Sequence, residues 1–441
     1  MTTVAPSPGF RKALYLMAST SLLVPLAGIV TSPILAQALG VAGRGEVAAA
    51  ISPNVLIVSV ATLGLPEALT YFLAKFPRGT RNALGWATLF GLSMGVLCFA
   101  VAWFALPFLS NGDRSLANLI LLATALAVPL LVVNLLRGAA SGRQMWRAVA
   151  LEKTSQSVIR VGALVVLALT GHLTVLTATA VMTIGPIIAG LVYWKLLRKP
   201  PLEGEPFPPK MPKVLMDFGS KIWLGSVSSM LLARLGQILF TPLSNVSELG
   251  LYVTAVSISD VPLIFAIAIR DVLFSVNSKS NDAKQLTTSA RLTLIIGILT
   301  CIVLGGTLPF WIAFIFGNSF VPAVLPTWIL MASALVSIPG FMAGAGLGAW
   351  GRPTLRSVGL VLGLIANLVV FVALVPHFGA VGASIAALAS SIASTAFVVI
   401  MAARVIGVPI HEFWVIRGAD FARLYNEVMS VLRSRVPFLR K

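Results

Sequence analysis

Charged side chains in the middle of long apolar stretches are the residues of this chain best suited to chemistry. Arg234 lies thirteen residues after Lys221, and Asp260 lies ten residues after Gly250. With a rise of about 1.5 Å per residue, two antiparallel helices would hold both charges at a similar depth. A charge inside a bilayer is costly and faces a cavity or a partner. Two interpretations stay open: an ion pair that only packs two helices, or a cavity cation tuned by a neighbouring acid.

Further polar residues accompany this pair at helical spacing. One face carries Ser226, Met230, Arg234 and Gln237, and the next helix carries Thr254, Ser257 and Asp260. Such mostly polar faces are typical of a water-filled cavity, which makes Gln237 a candidate for the substrate path. Arg160 is a further candidate, although a side chain seven residues past Lys153 can also bend back to the inner surface. Asn54, and Arg44 in a predicted outer loop, complete the set.

The candidates for coupling or gating are Glu67, Pro66 and Asp260. Pro66 lacks a backbone N–H and would free a carbonyl beside Glu67, which indicates a hinge or an ion site. An ordinary position at the membrane interface fits Glu67 equally well. Arg137, at the inner end of a helix, is interpreted as a topology signal.

No catalytic or cofactor motif is visible. The three histidines have no Asp or Cys at metal-ligand spacing, and no Gly-rich phosphate loop occurs. The two cysteines lie in apolar stretches and indicate neither a disulfide nor a metal site. We expect no enzymatic activity, no cofactor and no metal, and the sequence does not decide whether H⁺ or Na⁺ drives any transport.

These residues must be positioned by membrane helices. Each apolar stretch is about as long as the ~17–25 residues that a helix needs to cross a bilayer, or slightly longer. The stretches are Ala13–Leu39, Val47–Ala74, Asn82–Leu109, Leu116–Leu136, Ala148–Leu169, Leu173–Trp194, Ile222–Leu243, Leu249–Phe274, Leu292–Phe316, Phe320–Leu347, Val358–Val375 and Phe378–Ala403. They predict an all-α polytopic membrane protein with twelve transmembrane helices.

The distribution of basic residues predicts the orientation. A mean hydropathy of +0.96 with only 10% charged residues excludes an ordinary soluble domain. Of the 32 Lys and Arg, 26 lie in the amino terminus, the even-numbered loops and the carboxyl-terminal tail, and Lys153 and Arg270 lie within about two turns of the inner end of a helix. Cytoplasmic loops retain such residues, so both termini are predicted to be cytoplasmic. The net charge of +18 is therefore explained by topology, and no nucleic-acid partner is expected.

The chain divides into two six-helix lobes. A proline-rich cytoplasmic linker at 198–216 separates an amino-terminal lobe (1–197) from a carboxyl-terminal lobe (217–403), and a basic amphipathic tail follows at 404–441. Similar positions recur between the halves: Gly45 and Gly250, Gly142 and Gly351, and His172 and His377. Because six helices return the chain to the same side, the repeats are parallel, with a pseudo-two-fold axis along the membrane normal. The tail is predicted to lie on the inner membrane surface, and a role in binding a partner stays open.

The sequences LGVAGRGE at residues 39–46 and LGLPEA at residues 63–68 resemble the opening of polysaccharide-transporter flippases. These belong to the multidrug/oligosaccharidyl-lipid/polysaccharide (MOP) exporter superfamily, and the resemblance extends over the chain as a pattern of helices and short outer loops. It implies a two-lobed bundle in a bacterial plasma membrane that moves undecaprenyl-diphosphate-linked oligosaccharides to the outer leaflet by alternating access. A functional monomer is expected, with a polysaccharide polymerase or glycosyltransferases as candidate partners.

Three other functions compete with this expectation. A cation-coupled multidrug (MATE-type) exporter would tend to carry a carboxylate in the first helix, which here is uncharged between Lys12 and Arg44. A lipid II flippase often has two further carboxyl-terminal helices. A membrane-embedded glycosyl-processing enzyme is disfavoured by the short outer loops and the missing acid/base pair. The embedded arginines, with few carboxylates, favour an anionic diphosphate substrate over a cationic drug.

Overall fold

A computed structural model describes residues 8–194, 196, 210–264 and 283–422. Within these ranges the chain forms α-helices and short 3₁₀ turns, without a β-strand. The helices are α1 (Pro8–Ala61), α2 (Leu65–Lys75), α3 (Thr80–Leu109), α4 (Arg114–Ala125), α5 (Ala127–Gly142), α6 (Trp146–Leu169), α7 (Val175–Gly190), α8 (Met211–Leu243), α9 (Val246–Ser259), α10 (Ala283–Phe316), α11 (Val324–Ala349) and α12 (Pro353–Ile406).

The structure confirms an all-α polytopic membrane protein. Among the described residues, seven helical stretches are long and apolar enough to cross a bilayer. They are Leu23–Ala61, Pro77–Leu109, Arg114–Gly142, Val175–Tyr193, Ala283–Phe316, Asn318–Ala349 and Pro353–Ile406. The count of twelve transmembrane helices stays a prediction.

Two of the outer loops expected from the sequence are kinks within long helices. Gly40 (φ 66°, ψ −172°) interrupts α1, and Gly379 (φ 49°, ψ −125°) interrupts α12. A positive φ is inexpensive for glycine, so a single residue redirects the helix without a loop. The prediction that Arg44 lies in an outer loop is therefore wrong, because helical structure resumes directly after Gly40.

A further break separates α1 from α2. Leu63 (φ 44°) and Gly64 (φ 70°) both adopt left-handed conformations. A Cβ atom on Gly64 would lie 2.2 Å from the carbonyl oxygen of Gly219 in α8. On the other side of α2, a Cβ atom on Gly138 of α5 would lie 2.4 Å from the carbonyl oxygen of Pro66. Glycines therefore allow the break and the start of α2 to pack directly on two neighbouring helices.

The described residues divide into two compact units. The first contains the described residues within 1–257, 312–322 and 375–380, and the second contains the other described residues. The core of the first unit includes Leu65 and Leu69 of α2, Ala87 of α3, Leu135 of α5 and Tyr193, all inaccessible to solvent. Such burial of one face per helix anchors α2 between its neighbours. The predicted division at 198–216 stays a prediction, although α8 already begins at Met211, inside that range.

In the second unit the chain after α12 packs onto the helical core. The buried Phe413 joins a cluster with Leu286 of α10 and Val398 of α12. Arg291 of α10 forms ion pairs with Glu412 and Asp420, each at 2.8 Å. Residues 407–422 are thus held against α10, whereas most of the predicted amphipathic face (Leu424, Val428, Val431 and Leu432) lies outside the described residues.

The Asp420 carboxylate is tuned by this packing. Burial would raise the pKa of Asp420, but hydrogen bonds from the Arg291 side chain and the Arg417 backbone N–H outweigh it and hold the pKa below the usual range. This carboxylate therefore stays ionised at neutral pH and keeps its ion pair with Arg291.

A reciprocal contact relates the two halves of the chain. A Cβ atom on Gly45 would lie 1.7 Å from the carbonyl oxygen of Val246, and one on Gly250 would lie 2.0 Å from that of Val41. Gly45 and Gly250 are 205 residues apart, as are Val41 and Val246. Gly45 therefore contacts Val246, and their equivalents in the other half, Gly250 and Val41, contact each other. Such an exchange of partners indicates a two-fold axis between the two pairs. The contact thus supports the repeat predicted from Gly45 and Gly250.

The turns between helices show a related register. Gly112 (φ 80°) and Gly317 (φ 104°) end α3 and α10 and are also 205 residues apart. At the ends of α5 and α11 the matching left-handed residues are Gln144 (φ 55°) and Gly351 (φ 74°). From the sequence, Gly351 was paired with Gly142 because both are glycines near a helix end. The residue that matches Gly351 in conformation is Gln144, two positions after Gly142.

Candidate functional site

Arg44 is a buried cation held entirely by uncharged acceptors. Its Nε donates to the Thr254 hydroxyl (2.6 Å), and its Nη1 donates to the Ser32 carbonyl (3.1 Å). Its Nη2 donates to the hydroxyls of Ser32 (2.7 Å) and Ser257 (3.1 Å). The residue is only 4% exposed. The guanidinium thereby joins the first part of α1 to α9.

A second polar contact joins the later part of α1 to α8. The Ser52 hydroxyl donates to Oε1 of Gln237 (2.9 Å), and Nη1 of Arg234 donates to the same oxygen (2.8 Å). Gln237 is buried, and Arg234 is half-buried. The predicted shared face of Arg234 and Gln237 is confirmed by this hydrogen bond across one helical turn.

The two polar contacts are equivalent under the repeat. Ser52 corresponds to Ser257 and Ser32 to Gln237, each pair 205 residues apart. Ser52 and Gln237 bond directly, whereas Arg44 bridges Ser32 and Ser257. The symmetric positions are thus filled asymmetrically.

Arg160 of α6 is close enough to Arg44 and to Arg234 for like-charge repulsion. Its buried Nε has no hydrogen-bond partner among the described residues. Within the residues that the structure describes, neither Arg44 nor Arg160 forms an ion pair with a carboxylate. We call Arg44, Arg160 and Arg234 the arginine cluster.

Asp260 and Asn54 are the other residues that were predicted to line the substrate path. Asp260 follows α9 with an exposed side chain, and its carbonyl accepts from the N–H of Leu263 (3.0 Å). The pairing of Asp260 with Arg234 stays a prediction. Asn54 is buried and donates to the Ala123 carbonyl (2.5 Å), so its amide ties α1 to α4.

The gating candidates lie at the break before α2. Glu67 is exposed in the first turn of α2, where a carboxylate is favourable for the helix dipole. The carbonyl of Thr62, four residues before Pro66, accepts from the N–H of Leu65 (2.8 Å). The carbonyl expected to be free is therefore bonded, and an ion site built on it is not supported. The break between α1 and α2 lies at Leu63 and Gly64, and a hinge at this place stays a prediction.

The buried carboxylate of Glu152 forms a charged site that was not predicted from the sequence. Glu152 of α6 has no solvent exposure and receives two hydrogen bonds from Arg137, at 2.8 and 3.0 Å. The Tyr193 hydroxyl donates to the same carboxylate at 3.3 Å. Arg137, interpreted from the sequence as a topology signal, is thus also part of an ion pair. The available signal was that Glu152 is one of few carboxylates within the apolar stretches.

No metal site is visible in residues 8–194, 210–264 and 283–422, where no three His, Cys, Asp or Glu side chains converge. The arrangement instead offers hydrogen-bond donors and positive charge. Such a site can bind oxyanions, which guanidinium groups recognise through paired N–H···O bonds.

Comparison with known proteins identifies the family of this chain and structures with a similar fold. The model of the "Polysaccharide biosynthesis protein" family matches residues 10–281. A search of curated proteins found no match.

Solved structures of MOP-superfamily transporters are similar in fold. The lipid II flippase MurJ in an inward closed conformation has a TM-score of 0.70 at 12% identity, covering 93% of this chain and 92% of that chain. An inward-facing MATE multidrug resistance transporter has a TM-score of 0.65 at 14% identity, covering 88% and 94%. A MOP-superfamily transporter from Pyrococcus furiosus, described by the reverse polarity of its binding pocket, has a TM-score of 0.61 at 13% identity, covering 90% and 94%. These likenesses confirm the expected MOP-exporter fold.

Proposed function

Because the chain belongs to the polysaccharide biosynthesis protein family, we propose that it is a flippase for a lipid-linked oligosaccharide. The substrate is an undecaprenyl-diphosphate glycan that passes from the inner to the outer leaflet by alternating access. On this proposal the chain performs no chemistry on its substrate. It acts as a monomer in a bacterial plasma membrane with both termini cytoplasmic. It is coupled to H⁺ or Na⁺, and its product is used by a polysaccharide polymerase or by glycosyltransferases.

The observation that carries this proposal is the arginine cluster. A buried donor without a partner, such as Nε of Arg160, costs about 1–3 kcal/mol and calls for an acceptor. A diphosphate supplies several charged oxygens, and each hydrogen bond between charged groups contributes about 1.5–3 kcal/mol. An anionic headgroup is therefore a stronger hydrogen-bond acceptor for the arginine cluster than water or a sugar hydroxyl.

The sign of the charge separates this function from drug export. A cationic drug next to Arg44 and Arg160 would meet two embedded positive charges that have no carboxylate partner in the described part of the chain. Repulsion at the low dielectric of the protein interior is stronger than in water. One structural neighbour is described by the reverse polarity of its binding pocket, which supports the view that pocket charge differs between members of this fold.

The test is complementation of a strain that lacks the gene. We expect the deletion to abolish the surface glycan, to accumulate lipid-linked oligosaccharide on the inner leaflet and to leave sensitivity to cationic drugs unchanged. Wild-type protein and Arg114→Gln should restore the glycan, because Arg114 is exposed at the start of α4. Arg160→Gln and Arg234→Ala should restore less than about a tenth of it, the loss expected from one charged hydrogen bond, at equal protein level in the membrane.

Other outcomes would replace this function. Drug sensitivity with a normal surface glycan would indicate a MATE-type exporter. Lysis with accumulated peptidoglycan precursor would indicate a lipid II flippase. Full restoration by both arginine variants would remove the arginine cluster from the mechanism.

A further inference from the structure

The two halves of the chain meet backbone to backbone at one end of α1 and α9. We call Val41, Gly45, Val246 and Gly250 the glycine contact. Gly45 lies against the carbonyl of Val246, and Gly250 lies against the carbonyl of Val41. Both approaches leave no room for a Cβ atom on the glycine. A glycine at the interface of each helix allows the two backbones to approach in this way. The predicted topology places the contact at the outer side of the membrane.

Arg44 fastens the same elements one residue away from Gly45. Its three partners, Ser32, Thr254 and Ser257, come from the first part of α1 and from α9. We call Arg44 with these partners the latch. The latch and the glycine contact both lie within the first compact unit.

The acceptors of the latch are weak for a guanidinium. All of them are hydroxyl or carbonyl oxygens, whereas Arg side chains bond phosphate oxygens with shorter and stronger hydrogen bonds. Arg44 already uses Nε, Nη1 and Nη2. These bonds occupy four of the five N–H groups of the guanidinium, so a phosphate that accepts from two of them must displace at least one partner of the latch.

We propose that the glycine contact is an outer gate and that the substrate itself releases the latch. This inference rests on the proposed function, because it assigns the diphosphate of the substrate to Arg44. The headgroup takes over the donors of Arg44, the bonds to α9 are lost, and the gate opens outward. Without a headgroup the latch keeps the gate closed, which prevents other solutes from crossing.

The test measures closure of the gate by cross-linking. The purified full-length protein, with Cys98 and Cys301 replaced by Ala, carries Val41→Cys and Val246→Cys. Both positions belong to the glycine contact, and their replacement leaves every partner of Arg44 in place. A short bifunctional maleimide then reports the closed gate. Undecaprenyl diphosphate is the probe, uncharged undecaprenol is its control, and binding of the probe is measured separately on the same protein.

We expect rapid cross-linking of the free protein and a decrease of about tenfold with undecaprenyl diphosphate, the change that about one charged hydrogen bond supports. Undecaprenol should have no effect. Arg44→Gln should give the slow rate without any lipid and no further response, whereas Arg114→Gln should behave as wild type.

Two results distinguish failure of the gate from failure of the flippase proposal. If the wild-type protein binds undecaprenyl diphosphate but its cross-linking rate does not change, the latch inference is wrong and the proposed function stands. If the protein does not bind the probe, both are wrong. An unchanged rate in Arg44→Gln would also overturn the latch.

Glycine substitutions provide an independent measurement. Gly45→Ala adds a Cβ atom against the Val246 carbonyl and should slow cross-linking in the free protein. Gly85→Ala is the matched control, because a Cβ atom at Gly85 meets nothing within 4 Å. If Gly45→Ala elutes as a folded protein and still cross-links at the wild-type rate, the contact is not a gate.

Discussion

At the scale of single residues, the candidate site combines two kinds of information. The shared face of Arg234 and Gln237 follows from spacing along one helix and was predictable. The partners of Arg44 were not, because Thr254 and Ser257 are more than 200 residues away along the chain. Spacing predicts which side chains share a face, whereas the helix opposite that face depends on tertiary packing. The shared face of Thr254 and Ser257 was predicted from their spacing, whereas their hydrogen bonds with Arg44 were not predicted.

The ion pair of Arg137 and Glu152 leads to a prediction about stability. Glu152 is fully buried, so Arg137→Met leaves an unpaired buried carboxylate and should destabilise the protein by about 3–5 kcal/mol. The double replacement Arg137→Met/Glu152→Leu removes both charges and should recover most of this loss. Thermal unfolding of the purified protein measures both effects.

The matched control for this prediction is Arg147→Met. Arg147 is exposed in the first turn of α6, and its replacement should leave the unfolding temperature nearly unchanged. A double variant as unstable as Arg137→Met would show that the loss comes from packing around the side chains and not from the stranded charge.

At the scale of the elements, hydropathy was a good guide to helices and a poor guide to their joints. The apolar stretches predict α3, α6 and α7 closely, because ~20 apolar residues have few alternatives to a membrane helix. Loops were expected where the structure has kinks at Gly40 and Gly379. An interruption of the apolar pattern shows that the chain turns there, but it does not show how many residues form the turn.

Close packing of α2 against α5 gives a second prediction. Gly138→Ala would place a Cβ atom 2.4 Å from the Pro66 carbonyl oxygen, a backbone atom that cannot move without shifting α2. Overpacking of this kind costs about 1–3 kcal/mol. We expect a lower unfolding temperature and reduced transport.

Gly162→Ala tests whether the effect is steric. Gly162 lies within α6, and a Cβ atom there meets nothing within 4 Å. Because alanine favours helix by about 0.5–1 kcal/mol over glycine, this variant should be slightly more stable than wild type. Equal destabilisation of both variants would mean that the contact between α5 and α2 is looser than the distances indicate.

At the scale of the whole molecule, the repeat links the sequence to the fold. Matching contacts at an offset of 205 residues occur at Gly45 and Gly250 and again at the polar contacts of α1 with α8 and α9. The sequence alone offered only similar residues at similar spacing. The reciprocal contact is stronger support, because an accidental glycine pair would not pack against equivalent carbonyls in both directions.

The last prediction concerns the orientation of the molecule, on which the outer position of the gate depends. Basic residues gather at the turns after α2, α5 and α11, whereas the turns after α3, α6 and α10 hold almost none. Because lysine and arginine are retained in the cytoplasm during insertion, reporter fusions at Asn111, Gly171 and Asn318 should read external. Fusions at Gln144 and Gly351 should read internal. Each site lies in or beside a turn between helices, so a fusion there interrupts no membrane helix. Two or more reversed readings would contradict the assignment, and reversal of all five would place the glycine contact at the cytoplasmic side.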